Sequence, residues 1–313
     1  MLPNFDQWVI LLIAFAAALV LSYFMTPPVK EFAERIGALI IAFMGGLDDI
    51  VTLTPWIKFL GQILAAVVVV RSGLVIDAIT WSTEQTYIEI SNLSGAVITI
   101  FWIVLCTNAV NLIDGLDGLA AGVTAICSFF LLVGSVLFST AEPAAAIILM
   151  ALIGACLGFI PFNFNPAQIF MGDVGSQFLG FILATASILG LFKLQAVAAF
   201  ALPLADTGFA VVRRLAHGQS PFQADKGHFH HRLLALGLSQ KQTVLVLYGV
   251  AAIGGILSLW IAGRGPLVRA LCIVAIVLTL ICIAILVFIR NPRRAKAREE
   301  RRKKREAEKE NGK

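Results

Sequence analysis

"NLIDGLDGLAAGVTAICSFFLLVGSVLF", residues 111–138, opens on two aspartates three positions apart among glycines and then runs on with no charged side chain. At about 1.5 Å of rise per residue, its apolar part (118–138) is long enough as a helix to cross a ~30 Å hydrocarbon core. Reading this stretch as a membrane span decides the fold class, because the pattern recurs along the chain. Of the 313 residues, 59% are hydrophobic and 14% charged, and the mean hydropathy is +0.89. Such a composition excludes a soluble globular domain and marks an integral membrane protein.

Apolar runs at 8–24, 57–79, 94–112, 118–138, 144–160, 176–192, 196–212, 242–262 and 266–289 predict an all-α, polytopic helical bundle of about nine full transmembrane helices. Ile36–Leu47 is also apolar, but about twelve residues cover only ~18 Å, so it is expected to be a half-span. The run 8–24 lacks a basic leader and a small-residue cleavage pattern, and is read as a retained span. Cys106, Cys127, Cys156, Cys272 and Cys282 all lie in apolar runs without a CxxC pair, which suggests packing rather than disulfides or zinc.

Residues 290–313 form a basic tail. From Ile289 onward the chain carries twelve Lys/Arg against five Glu, net +7, leaving the rest of the chain at −2. This reads as a solvated cytoplasmic tail with a hold on anionic lipid, not as a nucleic-acid site. Basic residues near span ends stay in the cytoplasm, so the C-terminus is expected there. Counting back by parity places connections 48–56, 113–117, 161–175 and 213–241 in the cytoplasm and the N-terminus outside. The longest external connection, 80–93, reads as an exposed loop without chemistry.

Those four connections hold the unusual polar residues: Asp48, Asp49 and Lys58; Asn111, Asp114 and Asp117; Asn163, Asn165, Asp173 and Ser176; and all four histidines (His217, His228, His230, His231) with Arg213, Arg214 and Arg232. Any one acid could be a helix cap or a turn residue. Five carboxylates converging on one membrane face with Asn, His, Lys and Arg instead suggest divalent metal and polyphosphate chemistry. Mg²⁺ binds through one or two carboxylates plus substrate phosphates, and a diphosphate needs cationic donors.

In order and spacing, "GGLDDI", "NLIDGLDGLAAG", "FNFNPAQIFMGDVGS" and "SPFQADKGHFHHRL" resemble the polyprenyl-phosphate N-acetylhexosamine-1-phosphate transferases of glycosyltransferase family 4. The resemblance is to the undecaprenyl-phosphate GlcNAc-1-phosphate transferase type. It implies transfer of N-acetylhexosamine-1-phosphate from a UDP-sugar to undecaprenyl phosphate, releasing UMP, as the first membrane step of a cell-envelope polysaccharide such as O-antigen or teichoic acid. It also implies Mg²⁺, with Mn²⁺ as an alternative ion, a bacterial inner-membrane location and a homodimer. Carried over by position, Asp173 and Asp48 would hold metal, and the pair Asp48 and Asp49 would serve the metal or the activation of the lipid phosphate. Asn111, Asp114 and Asp117 would orient nucleotide and phosphates; His228, His230, His231 and Arg232 would bind diphosphate and sugar. Lys58 would neutralise phosphate, Asn163 and Asn165 would bind substrate, and Asp206 would support the site from inside a span. Residues 1–289 would then be the transferase domain.

One departure stands out. The family has a basic loop, a second span and a full third span ahead of the "DD" motif, whereas here "AERIGA" runs directly into "LIIAFMGGLDDI". The second span and part of the third are expected to be missing, leaving the groove open to lipid and activity low. Two other readings remain: an inactive regulatory relative, and a transporter, against which stand the one-sided charges and the absence of an internal repeat.

Overall fold

The computed structural model describes residues 12–13, 15–18, 55–71, 73–80, 87–138, 143–189, 193–220, 227–263 and 265–288. Residues 12–13 and 15–18 are helical. The elements that follow are α1 (Pro55–Arg71), β1 (Ala78–Thr80), β2 (Tyr87–Glu89), α2 (Asn92–Ile113), α3 (Leu119–Phe138), α4 (Pro143–Asn163) and α5 (Gly172–Leu189). Then come α6 (Lys193–Ala199), α7 (Ala201–Ala216), α8 (Phe229–Ala235), α9 (Gln240–Ala262) and α10 (Pro266–Phe288). The half-span 36–47, the Asp48–Asp49 pair and the tail 290–313 lie outside the described residues.

The helical membrane bundle stands, but the expected nine crossings become six helices long and apolar enough to span, α2, α3, α4, α5, α9 and α10, among the described residues. Run 8–24 is described only in part. Run 57–79 yields α1, whose 17 residues cover only ~25 Å. It stops at Arg71 because Gly73 turns left-handed (φ 94°) and bonds back to Val70 O, with Leu74 N on Val69 O. Run 196–212 is broken at Phe200 into α6 and α7. Pro203 has no N–H to give Ala199 O, and that carbonyl instead accepts from Cys127 Sγ at 3.1 Å.

The connection expected to be a plain loop contains an antiparallel ribbon pairing Ala78 with Glu89, Ile79 with Ile88 and Thr80 with Tyr87. Its base is tied to α2, where Ile76 N donates to Thr99 Oγ1 at 2.8 Å. The five cysteines are free thiols.

Helix α3 is central, with 72% of its apolar window buried, whereas α10 packs on α9 and keeps only 6% of its window inside the protein. An apolar helix exposed almost all round fits a lipid environment. Helices α2 and α5 approach closely at Gly180, where an added Cβ would lie 2.7 Å from Thr107 Cα. That crossing sets the start of α5 beside the end of α2. The chain alternates direction, so the start of α1, the α2–α3 and α4–α5 connections and the segment from α7 to α9 share one end of the bundle.

Candidate active site

Asp173 is the second residue of α5, where the helix dipole favours a carboxylate. Lys58 Nζ of α1 lies 2.5 Å from Asp173 Oδ2, and Asn111 Nδ2 of α2 donates to Asp173 Oδ1 at 3.1 Å. Asn111 also donates to Ser176 Oγ at 2.9 Å. Three helices thus converge on one acid through three different side-chain types.

Helix α2 ends at Asp114, whose N–H bonds to Asn111 O, and the chain turns through 115–118 into α3. Gly118 sits at φ 82°, a conformation that other residues rarely adopt. Both of its peptide groups are clamped by side chains: Gly118 N donates to Asn163 Oδ1 at 2.9 Å, and Tyr248 OH donates to Gly118 O at 2.5 Å. Asn163 Nδ2 also donates to Ile169 O at 2.9 Å, so a buried amide braces both acidic connections. Asp117 Oδ2 accepts from Asn165 Nδ2 at 2.9 Å and from Ala167 N at 3.2 Å. Gln240 Oε1 accepts from the same Asn165 amide at 2.8 Å.

Asp114, Asp117 and Asp173 line a cleft of about 290 Å³ together with Asn163, Phe170 and Met171. Burial first, and then the charges of Asp173 and Asp117, together push the Asp114 carboxyl up to about 7. Three acids repelling one another around one cleft are a donor set that suits a hard cation. Among the described residues no three His, Cys, Asp or Glu stand close enough to hold a metal by themselves. An ion using Asp173 with one neighbouring acid would therefore need ligand oxygens from a phosphate, as Mg²⁺ ordinarily does.

The histidine-rich segment forms the second half. Asp206, inside α7 and 3% exposed, accepts from Phe229 N at 2.7 Å, and its Oδ2 lies 2.9 Å from His228 Nδ1. An acid at that depth is expensive unless bonded, and both its oxygens are bonded. The His228 and His230 rings are parallel at 5.7 Å, and His231 lies 4.3 Å from His230. Burial pushes His230 down to about 4; His231 and His228 lower it and Asp206 partly offsets them. Gly227 O accepts from Arg213 Nη1 at 2.9 Å and Arg232 Nε at 3.1 Å, tying α8 to α7. His231 and Arg232 are exposed.

The halves meet at one point. A Cβ on Gly115 would lie 2.5 Å from His230 Nε2, so the imidazole rests directly on the acidic loop. The structure therefore brings together Lys58, Asn111, Asp114, Asp117, Asn163, Asn165 and Asp173, with His228, His230, His231 and Arg232 alongside. Asp48 and Asp49 lie outside the described residues.

Sequence reasoning passed over Gln240 and Tyr248, and also Gln62, Asn108 and Gln177, which bond to one another one turn below Lys58, Asn111 and Asp173. For Gln62, Asn108 and Gln177 the signal was present as polar residues inside apolar runs, spaced three or four from a residue already singled out.

The model of the family described as "Glycosyl transferase family 4" matches residues 32–191, about half of the chain. A probable undecaprenyl-phosphate N-acetylglucosaminyl 1-phosphate transferase of Bacillus subtilis is 37% identical over 225 residues, covering 69% of this chain and 62% of that protein. A decaprenyl-phosphate N-acetylglucosaminephosphotransferase of Mycolicibacterium smegmatis is 37% identical over 249 residues, 67% of this chain and 60% of its own length. A phospho-N-acetylmuramoyl-pentapeptide-transferase of Staphylococcus aureus is 37% identical over 168 residues, 53% of this chain and 51% of its own. The chain thus spans about three fifths of the first two relatives.

Proposed function

From the premise that the chain belongs to glycosyl transferase family 4, we propose that it moves N-acetylhexosamine-1-phosphate, most simply GlcNAc-1-phosphate, from a UDP-sugar to undecaprenyl phosphate. An oxygen of the lipid phosphate forms a bond to the β-phosphorus. The bond from that phosphorus to the bridging oxygen breaks, and UMP leaves with the electron pair. The observation that carries this reading is the cleft lined by Asp114, Asp117 and Asp173 at the polar end of apolar helices, with Lys58 on Asp173 and His230 on Gly115. A water-soluble phosphate donor and a lipid phosphate meet naturally at such a boundary.

Asp173, with Asp114 or Asp117, would hold Mg²⁺, which supplies Lewis-acid neutralisation of phosphate charge. The Lys58 ammonium adds positive charge at the same carboxylate and is placed to neutralise a phosphate oxygen. Asn165, Gln240 and Ala167 N hold the Asp117 carboxylate in one orientation, which excludes the rotamers that would miss the ligand. The exposed His231 and Arg232 would meet the diphosphate and sugar from α8, while the buried Asp206–His228 pair holds that helix.

Purified protein in detergent, given UDP-GlcNAc, Mg²⁺ and undecaprenyl phosphate, should release UMP in step with lipid-linked sugar. No UMP, under conditions where a full-length relative turns over, would replace the proposal with an inactive relative. We also place this end of the bundle in the cytoplasm of the bacterial inner membrane. A cysteine introduced as Gln219→Cys should resist a membrane-impermeant thiol reagent in intact cells and react once the inner face is opened.

A further inference from the structure

Three helices meet twice at the polar end of the bundle. The outer layer is the convergence of Lys58 (α1), Asn111 (α2) and Asp173 (α5). The inner layer comes from the same helices one turn deeper: Gln62, four residues after Lys58; Asn108, three before Asn111; and Gln177, four after Asp173. Such spacings place the two members of each pair on one helix face. Asn108 Nδ2 donates to Gln62 Oε1 at 2.5 Å and to Val104 O at 2.8 Å, and Gln62 Nε2 donates to Gln177 Oε1 at 3.0 Å. Gln62 Nε2 also reaches Asn108 Oδ1 at 3.4 Å.

Gln62 is buried, and there an amide costs free energy unless bonded, whereas an apolar side chain would pack without that demand. What the amides add is direction. Helix α1 packs along α2, and an apolar seam tolerates sliding and rotation of one helix on the other. A reciprocal Gln62–Asn108 pair allows one height and one rotation, and the Gln62–Gln177 bond extends that setting to α5. The height of α1 is what decides whether the Lys58 ammonium arrives at the Asp173 carboxylate.

We propose that Gln62, Asn108 and Gln177 are positioning residues: their amide layer sets the register of α1 against α2 and α5 and so delivers Lys58 to Asp173 in the phosphate-transfer site. The proposal rests on the transferase reading only for its consequence in turnover. Its geometric consequence can be read without catalysis, from the reactivity of Lys58, whose amine is shielded by its carboxylate partner.

The test uses the full chain in detergent. In Gln62→Leu, labelling of Lys58 by an amine-directed reagent, read by mass spectrometry, should rise several-fold at an unchanged melting temperature. Turnover, as kcat, should fall about tenfold to a hundredfold, since a displacement near 1 Å at a reacting group can cost about a hundredfold. KM for the nucleotide sugar should stay within about twofold, because the loss falls on the reacting geometry rather than on uniform binding. Exchanging the pair, Gln62→Asn with Asn108→Gln, should restore both readouts; Gln177→Leu carries the same test if Gln62→Leu does not fold. Parent-like labelling in the leucine variants, or turnover that falls only with the folded fraction, would overturn the proposal. If the parent chain releases no UMP, the transferase reading fails, while Lys58 labelling still decides the role of the amide layer.

Discussion

The two halves of the site handle charge in opposite ways. Around Asp173 the ionic groups are partly open, with side-chain exposures of 46% for Asp173 and 28% for Lys58. Around Asp206 they are closed: Asp206 and His228 are 3% and 5% exposed and bonded to each other, and His230 is equally buried. Partly open carboxylates can exchange their partners for an incoming ligand, whereas the closed acid–imidazole pair is sealed from one. The two meet where the His230 ring rests on Gly115, with His231 and Arg232 exposed on the closed half's outer side.

The largest effect is expected from Asp173→Asn. An amide is a poor ligand for a hard cation, so UMP release should fall about a hundredfold to a thousandfold with the melting temperature little changed. Near-normal turnover would break the contrast by making Asp173 a helix cap. On the closed side the balance should invert. Asp206→Ala strands the His228 ring and Phe229 N in a buried site, which should lower stability by about 3 kcal/mol in thermal or denaturant unfolding. Asp206→Asn keeps an acceptor for Phe229 N and should cost about 1 kcal/mol. Equal loss in both variants would mean that charge, not hydrogen bonding, holds α8.

Gly115→Ala addresses the seam between the halves. The added methyl must displace the His230 ring, at about 1 kcal/mol, and turnover should drop more than stability because the acidic loop shifts. A variant indistinguishable from the parent would show that the halves act independently.

The smallest effect is one of sign with pH, measured with a chelator present. Asp114 has a folded-state value raised from 3.8 to about 7, so the folded state keeps a proton that the unfolded state releases. Its contribution to stability therefore declines as pH rises from about 4 to 7. His230 is lowered from 6.5 to about 4, so its contribution is lost as pH falls from about 6.5 to 4. The two oppose each other. The melting temperature of Asp114→Asn should climb with pH more steeply than the parent's across that window. His230→Asn should shift the slope the other way, and shifts from the parent's slope that have the same sign in both variants would refute the assignment of one burden to each half.

Much of this was legible along the chain, because the facts involved are local. Run length against bilayer thickness identified the helices α2, α3, α4, α9 and α10 to within a few residues of their ends. The grouping of polar connections at one end follows from alternation alone, so Lys58, Asn111, Asp114, Asp117 and Asp173 could be named before any packing was known. The short α1 and the break at Phe200 were missed because hydropathy is blind to a left-handed glycine and a missing N–H inside an apolar run.

What the amino-acid order determined by itself was therefore periodicity, span length and the side on which each polar residue falls. What only the tertiary structure decided was partnership. Asn163 and Asn165 lie two residues apart in one motif, yet one braces the backbone of Gly118 and the other aims Asp117. Gln62 and Gln177 are separated by 115 residues, as are Lys58 and Asp173, and nothing local specifies either bond. Hydrophobic patterning places a helix in the membrane without fixing its rotation or height. Those are set when close-packed surfaces such as Gly180 on Thr107 interlock, and only then do side chains remote in sequence come within the 3 Å at which a hydrogen bond forms.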